Sequence, residues 1–381
     1  MNEQPKARTF DRAALGQITL VLQGGGSLAA YQAGVYQALH ESGLEPDWII
    51  GTSIGSVNAA LIAGNPPEKR LKRLRDFWFR VANAPLTQFA SFFMALGPWA
   101  MHMLTALVGV PGFYQPNPWV AWAWTFPVGA ELAAFYTTLP LRLVLEELTD
   151  SKFLNAGRPR LTLGAAQIRT SEMCYFDSRD MPLNIGHVLA STALPPVFPA
   201  WRLGHQLFWD GGLVTRAPIE TVFDDTSRCS GLVFAVQMWR PEGQAPETMR
   251  DVLERMKDLH YSSNASSHIA RQKQIHKLRH VVRKLSAILP PEVSKSPEVQ
   301  ALASYGCPTA MHVIHLVAPP FKDEERADDN DFSPAAVAAH WQAGFMDAMK
   351  VIDKAPWNDT YDPLEGFILH EYRAGEVTFE G

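Results

Sequence analysis

Between residues 17 and 65 the chain twice passes from a short apolar run through a glycine-rich turn into an apolar helical pattern. The first run is Ile18-Thr19-Leu20-Val21-Leu22. It is broken by Gly24-Gly25-Gly26 and followed by Leu28, Tyr31, Val35 and Leu39 at helical spacing, with Gly43 as a stop. The second is Trp48-Ile49-Ile50, then Gly51-Thr52-Ser53-Ile54-Gly55 and an Ala/Leu/Ile-rich helix to about Ala63, ended by Gly64-Asn65-Pro66-Pro67. Short apolar runs without alternation suit strands buried on both faces. Strand, helix, strand, helix in that order demands a parallel sheet and therefore an α/β fold. In such a sheet both glycine turns fall at the same carboxyl edge, the edge where ligands bind.

Gly24-Gly25-Gly26-Ser27-Leu28-Ala29 also satisfies G-x-G-x-x-A, the dinucleotide pattern. A dinucleotide site needs an acidic side chain after the second strand, and Gly51-Thr52-Ser53 occupies that place, which argues against a nucleotide. What survives is the physics of a helix N-terminus, whose unpaired N–H groups hold an anion, including the oxyanion of an acyl-transfer intermediate. Gly51 to Gly55 reads G-x-S-x-G, which pushes a serine to the tip of a strand-to-helix turn. For both motifs the alternative is an ordinary structural turn. A serine hydroxyl also needs a group to take its proton. His187 and His205 follow the elbow, with His260, His268, His276 and His280 later, and each reads equally as a surface or core histidine. Trp209-Asp210-Gly211-Gly212, after the apolar Leu207-Phe208, offers a carboxylate instead, although D-G by itself is a common turn. The elbow comes after only one strand–helix pair, too early for an α/β-hydrolase.

Four motifs in order across residues 20–218 resemble the patatin-like phospholipases. They are G-G-G-x-x-x-A-Y-Q-x-G-V, G-T-S-I-G-x-x-N-A, the stretch Ala190 to Pro199 (similar to A-S-x-A-x-P-x-x-F-P), and D-G-G. The resemblance implies a three-layer α/β/α fold and a Ser–Asp dyad without a catalytic histidine. It also implies Ser53 as nucleophile, Asp210 as base, Gly24, Gly25 and Gly26 as the oxyanion loop, a lipid ester as substrate, and no metal or organic cofactor. Leu28 stands where many members carry Arg or Lys, Ala29 where they carry Gly, and Arg216-Ala217 precedes Pro218 where an Asn is common. The Leu and the long tail are similar to a bacterial branch with an additional C-terminal domain. Two further readings stay open: an esterase on hydroxyalkanoate oligomers or storage polyester, and a non-catalytic membrane- or granule-binding scaffold.

Charge distribution supplies the remaining expectations. Charged residues are 19% of the chain, so a stretch of fifty should hold about nine or ten, yet residues 81–130 hold none. They carry Trp99, Trp119, Trp122 and Trp124 among many phenylalanines, and prolines interrupt the run from Phe89 to Val110. Buried helices, a transmembrane hairpin, or an apolar lid or interfacial surface beside the site all fit. Residues 259–291 lack Asp and Glu but carry Arg271, Lys273, Lys277, Arg279, Arg283 and Lys284, with Ile275, Leu278, Val282, Leu285 and Leu289 at helical spacing. This is a basic amphipathic helix, packed on the domain by its apolar stripe or lying against anionic headgroups. A net charge of −5 argues against a nucleic-acid binder. Three scattered cysteines and a polar start fit a cytoplasmic protein, peripheral at the inner face of a membrane. The expected division is a catalytic domain over 17–240, with an apolar insertion at 81–140, and an extension over 241–381 that leaves room for an oligomer contact.

Overall fold

The computed structural model describes residues 10–12, 14–83, 109–110, 112–214, 218–225, 229–240, 242–243, 245–319, 331–362, 365–373 and 376–380. Six parallel strands form its centre: β1 (Gln17–Leu22), β2 (Trp48–Thr52), β5 (Arg160–Gln167), β9 (Gly231–Gln237), β10 (Met311–Val317) and β11 (Phe367–Arg373). They run in the order β11-β10-β9-β1-β2-β5. β3 (Gln115–Pro116) and β4 (Tyr136–Thr137) make a separate two-stranded ribbon. β6 (Met173–Asp177), β7 (Trp201–Leu203), β8 (Gln206–Asp210) and β12 (Glu376–Glu380) extend the main sheet through antiparallel pairings.

The apolar runs are buried on both faces, as strands between two helical layers must be. On one side Ile18, Leu20, Leu22 and Ile49 meet a large core built from α1 (Ala30–Glu41), α2 (Ile54–Ala63), α3 (Pro67–Ala82), α4 (Leu139–Leu148) and α7 (Pro334–Lys354). On the other side Val21, Trp48, Ile50, Val233 and Ala235 pack against residues 219–223 and Ile269 of α6 (Met249–Ile288). On the first side, α5 (Ile185–Ser191) lies beside β5 and β7 and meets α2 and α4. This is the expected three-layer α/β/α arrangement. α2 has no polar face because it is buried along its length; α3, with Pro67 in its first turn, is amphipathic and buries Leu74, Phe77, Trp78 and Val81.

The chain beyond residue 240 joins this fold intimately. β10 and β11 continue the parallel sheet from β9, register by register, and α7 lies along α1. Gly34 and Gly344 permit that contact: a Cβ on Gly34 would sit 2.0 Å from Trp341 O, and one on Gly344 would sit 2.0 Å from Tyr31 O. No helix among the described residues is long and apolar enough to cross a membrane. Residues 84–108, with most of the expected span from Phe89 to Val110, lie outside the described residues, as do His260's side chain and the Arg216-Ala217 pair.

The basic helix departs from expectation. Its packed face carries Gln272, His276 and His280 beside Ile269, while Leu278, Leu285 and Ile288 point to solvent. His276 Nε2 meets Thr309 O at 2.9 Å, and the Cys307 N–H donates to Arg279 O at 3.2 Å. Both partners precede β10, so this half of the helix lies at the amino edge of the sheet, opposite the glycine turns. The length of the strands therefore separates this half of the helix from Phe113 and Tyr114, in the described part of the charge-free stretch, which line the cavity with the glycine turns.

Candidate active site

Ser53 sits between β2 and α2 with φ 57° and ψ −134°, a backbone conformation that a non-glycine residue adopts only under constraint. The constraint is steric. A Cβ on Gly55 would lie 2.3 Å from Leu22 O, and one on Gly51 would lie 2.7 Å from Gly55 O, so β1, β2 and α2 meet too closely for side chains at either glycine. Three hydrogen bonds hold the turn. The Ser53 N–H donates to Ser191 Oγ at 3.1 Å, and the Ser56 N–H and Oγ donate to Ser53 O at 2.9 and 2.6 Å.

The glycine loop lies directly alongside. A Cβ on Gly24 would stand 2.9 Å from Ser53 Cβ and 3.3 Å from its Oγ. Gly26, at φ 55°, starts a short 3-10 turn over Gly26–Ala29 that runs into α1, where helix alone is expected from Leu28. Buried polar side chains clamp the loop at both ends. Gln32 Nε2 donates to Gln23 O at 2.6 Å, and Asn58 Nδ2 donates to Ala29 O and Gln32 Oε1, each at 3.0 Å. The Trp78 indole completes the set by donating to Asn58 Oδ1 at 3.0 Å. Leu28, in place of a cation, is buried in the apolar core, so neutral amide groups do the holding here.

Asp210 ends β8 and is 1% exposed. Its Oδ1 accepts from the Gly212 N–H at 2.7 Å, and its Oδ2 makes no hydrogen bond of standard geometry. Burial drives its pKa up to about 6; the nearby Ser53 hydroxyl and the Gly212 N–H oppose that rise by favouring the carboxylate. Ser53, Asp210, Gly24, Gly25 and Gly26 all line a single cavity of about 140 Å³. The structure thus brings every expected site residue together. Phe113, Tyr114, Leu194, Val197, Phe198 and Phe332 supply its apolar wall.

No histidine lines this cavity among the described residues. His187 belongs to the N-cap of α5, its ring packs edge-on against Phe176 at 4.9 Å, and burial lowers its pKa. His268 pairs with Glu220, and His276 and His280 face the amino end of the sheet.

One role was not assigned from sequence. Ser191 Oγ donates to Gly164 O on β5 at 2.6 Å while accepting from the Ser53 N–H. Two residues on, Ala193 O accepts the Asp210 N–H at 2.9 Å. The segment 191–193 therefore braces both the serine and the acid. The A-S-x-A spacing was the available signal, but its meaning needs the strand partner.

Comparison with known proteins bears on the family of the chain. A sequence model of the family described as Patatin-like phospholipase matches residues 20–223, and one described as Patatin phospholipase matches residues 259–364. The chain is 39% identical over 74 residues to Triacylglycerol lipase ptl3 of Schizosaccharomyces pombe, covering 19% of this chain and 15% of that protein. It is 43% identical over 76 residues to a patatin-like phospholipase domain-containing protein of Pyricularia oryzae, covering 19% of this chain and 10% of the other. The matched segments are thus small parts of those relatives. Among solved structures, VipD from Legionella pneumophila aligns with 92% of this chain and 72% of its own at 15% identity and a TM-score of 0.40. The ExoU–SpcU complex of Pseudomonas aeruginosa aligns with 91% and 64%, at 15% identity and a TM-score of 0.27. With one family model spanning more than half its length and its motifs gathered around one cavity, the chain belongs to the patatin-like phospholipase family.

Proposed function

We propose that the protein is a serine lipid acyl hydrolase of the phospholipase or lysophospholipase type, working through Ser53 and Asp210. The observation that carries this reading is a buried, proton-accepting carboxyl in the same cavity as a strained elbow serine, with no imidazole lining that cavity among the described residues. Asp210 takes the hydroxyl proton as Ser53 Oγ bonds to the ester carbonyl carbon, and the N–H groups of Gly24 to Gly26 receive the oxyanion. Collapse breaks the ester C–O bond, and the proton on Asp210 passes to the leaving alcohol. Water then attacks the acyl-enzyme, gives its proton to Asp210, and the acid departs as the proton returns to Ser53. A carboxyl whose pKa lies near 6 is a far better base than one at 3.8, so burial supplies what an imidazole relay supplies elsewhere.

The ribbon of β3 and β4 sets the substrate's approach. Asn117 organises it: its Nδ2 donates to Leu132 O and Ala134 O at 2.8 and 2.7 Å. The N–H groups of Phe135 and Tyr136 donate to Pro196 O and Val197 O, each at 3.0 Å, fastening the ribbon to the cavity rim. Trp119, Trp122, Trp124 and Phe126 extend from it into solvent. Exposed indoles beside an apolar cavity suit the headgroup region of a lipid layer. The proposal therefore includes peripheral attachment through this ribbon at the inner membrane face.

A fluorophosphonate probe tests the chemistry. Ser53 should be labelled, and Ser53→Ala and Asp210→Asn should abolish labelling and ester turnover while the fold persists. A folded wild-type chain that takes no label, or an active Asp210→Asn variant, refutes the reading.

A further inference from the structure

One wall of the cavity beside Ser53 is drawn from three parts of the chain. Phe113 and Tyr114 precede the ribbon, Phe198 follows α5, and Phe332 arrives from the C-terminal segment immediately ahead of α7. All four are buried and their rings interlock. Phe332 lies 5.6 Å from Phe113, Phe113 lies 6.0 Å from Phe198, and Phe198 lies 5.4 Å from Tyr114, centroid to centroid. Such tilted and edge-on pairs are favoured by the ring quadrupoles and resist displacement.

Phe332 is also held from its own side. The Ser333 N–H donates to Asp331 Oδ1 at 2.8 Å, and Ser333 Oγ caps α7 by accepting from the Ala336 N–H at 3.3 Å. α7 is in turn seated on α1 through Gly34 and Gly344. The ring is a fixed wall at the end of the aromatic chain. Among the described residues its one ring contact is Phe113, so removing it opens the cavity and leaves the other three rings in contact with one another.

The cavity is about 140 Å³ and partly open to solvent, and these four rings belong to its apolar lining. We propose that Phe332 is the acyl-length stop: a specificity-determining residue by which the C-terminal segment limits the length of acyl chain that the site accepts best. The inference rests on the ester-hydrolase reading and adds acyl-length selectivity to it.

The test is a chain-length profile of kcat/KM on p-nitrophenyl esters from acetate to laurate, paired with a series in which the acyl group is fixed as butyrate and the alcohol lengthens. Wild type should peak at one acyl length and fall off beyond it. Phe332→Ala should shift the peak toward longer acids, with about a fourfold gain for each methylene that becomes buried. The gain should grow with acyl length rather than apply equally at every length. Phe332→Trp should shift the peak toward shorter acids. Phe332→Leu keeps most of the apolar packing and should show a smaller shift in the same direction as Ala, which preserves the test where Ala fails to fold. Superimposable profiles, a uniform loss at every length, or a shift seen only in the alcohol series would each overturn the proposal. A wild-type enzyme that hydrolyses none of these esters sinks the parent reading as well, and that result is evident before any variant is made.

Discussion

Asp210→Asn separates what the carboxyl does for chemistry from what it does to stability. The folded-state pKa is about 6 against an ordinary 3.8, and the cause is burial. A gap of about two units corresponds to about 3 kcal/mol, at 1.36 kcal/mol per unit. Since the folded pKa is raised, the folded protein keeps a proton between pH 4 and 6 that the unfolded chain has released. Stability is therefore greatest below the unfolded pKa, falls as pH climbs through this window, and levels off above about 6 with the whole penalty in place. Asn keeps an oxygen for the Gly212 N–H and carries no charge to bury. The variant should thus match wild type in acid, gain about 2–3 kcal/mol above pH 7, and hydrolyse no ester. Urea unfolding midpoints across pH 4.5–8, with ester turnover on the same samples, measure both effects. Wild-type kcat/KM should rise through a single pKa near 6. A variant less stable than wild type at pH 8, or a stability difference that ignores pH, would show that Asp210 is not a strained buried acid.

Other perturbations probe the supports. Ser191→Ala removes the acceptor of the Ser53 N–H and a donor to Gly164 O, so it should cost about 1–3 kcal/mol in unfolding and lower kcat with KM little changed. An unchanged kcat would remove Ser191 from the brace. Trp122→Ser with Trp124→Ser should weaken flotation with lipid vesicles at any salt concentration and leave soluble short-chain esters untouched; binding that vanishes in high salt instead would point to the basic helix. Gly344→Ala forces a methyl against Tyr31 O and should destabilise the chain by about 1–3 kcal/mol or more, read from thermal unfolding.

The parts of the site that sequence made legible are those whose physics is local. A β-branched run followed by Gly51-Thr52-Ser53-Ile54-Gly55 can be read as strand, sharp turn and helix because each residue's role depends on its neighbours in the chain. β2 in fact runs to Thr52, so the turn at Ser53 is tighter than three apolar residues suggested. Ser191 was illegible as a brace because its partners, Gly164 and Ser53, lie 27 and 138 positions away. The basic helix misled for a related reason. Periodicity identifies an apolar stripe but not which face the tertiary structure covers. Here Gly366 leaves room for the rings of His276 and His280, and they pack inward at the leucines' expense.

The C-terminal segment shows the same limit on a larger scale, and bears on what the catalytic half can do alone. Residues beyond 240 read as an appendage because nothing local marks β10 as the neighbour of β9. Yet removing them would strip β9 of one partner, uncover the α1 face that α7 buries, and take away Phe332. α1 is the helix that the glycine loop opens, and its Gln32 holds that loop at Gln23 O. Exposing one side of a central strand and the outer face of α1 together leaves apolar surface and unpaired main chain where the oxyanion loop is anchored. A protein cut at 240 should therefore lose turnover even though Ser53, Asp210 and the glycines all remain, whereas a separable appendage would leave short-ester hydrolysis intact.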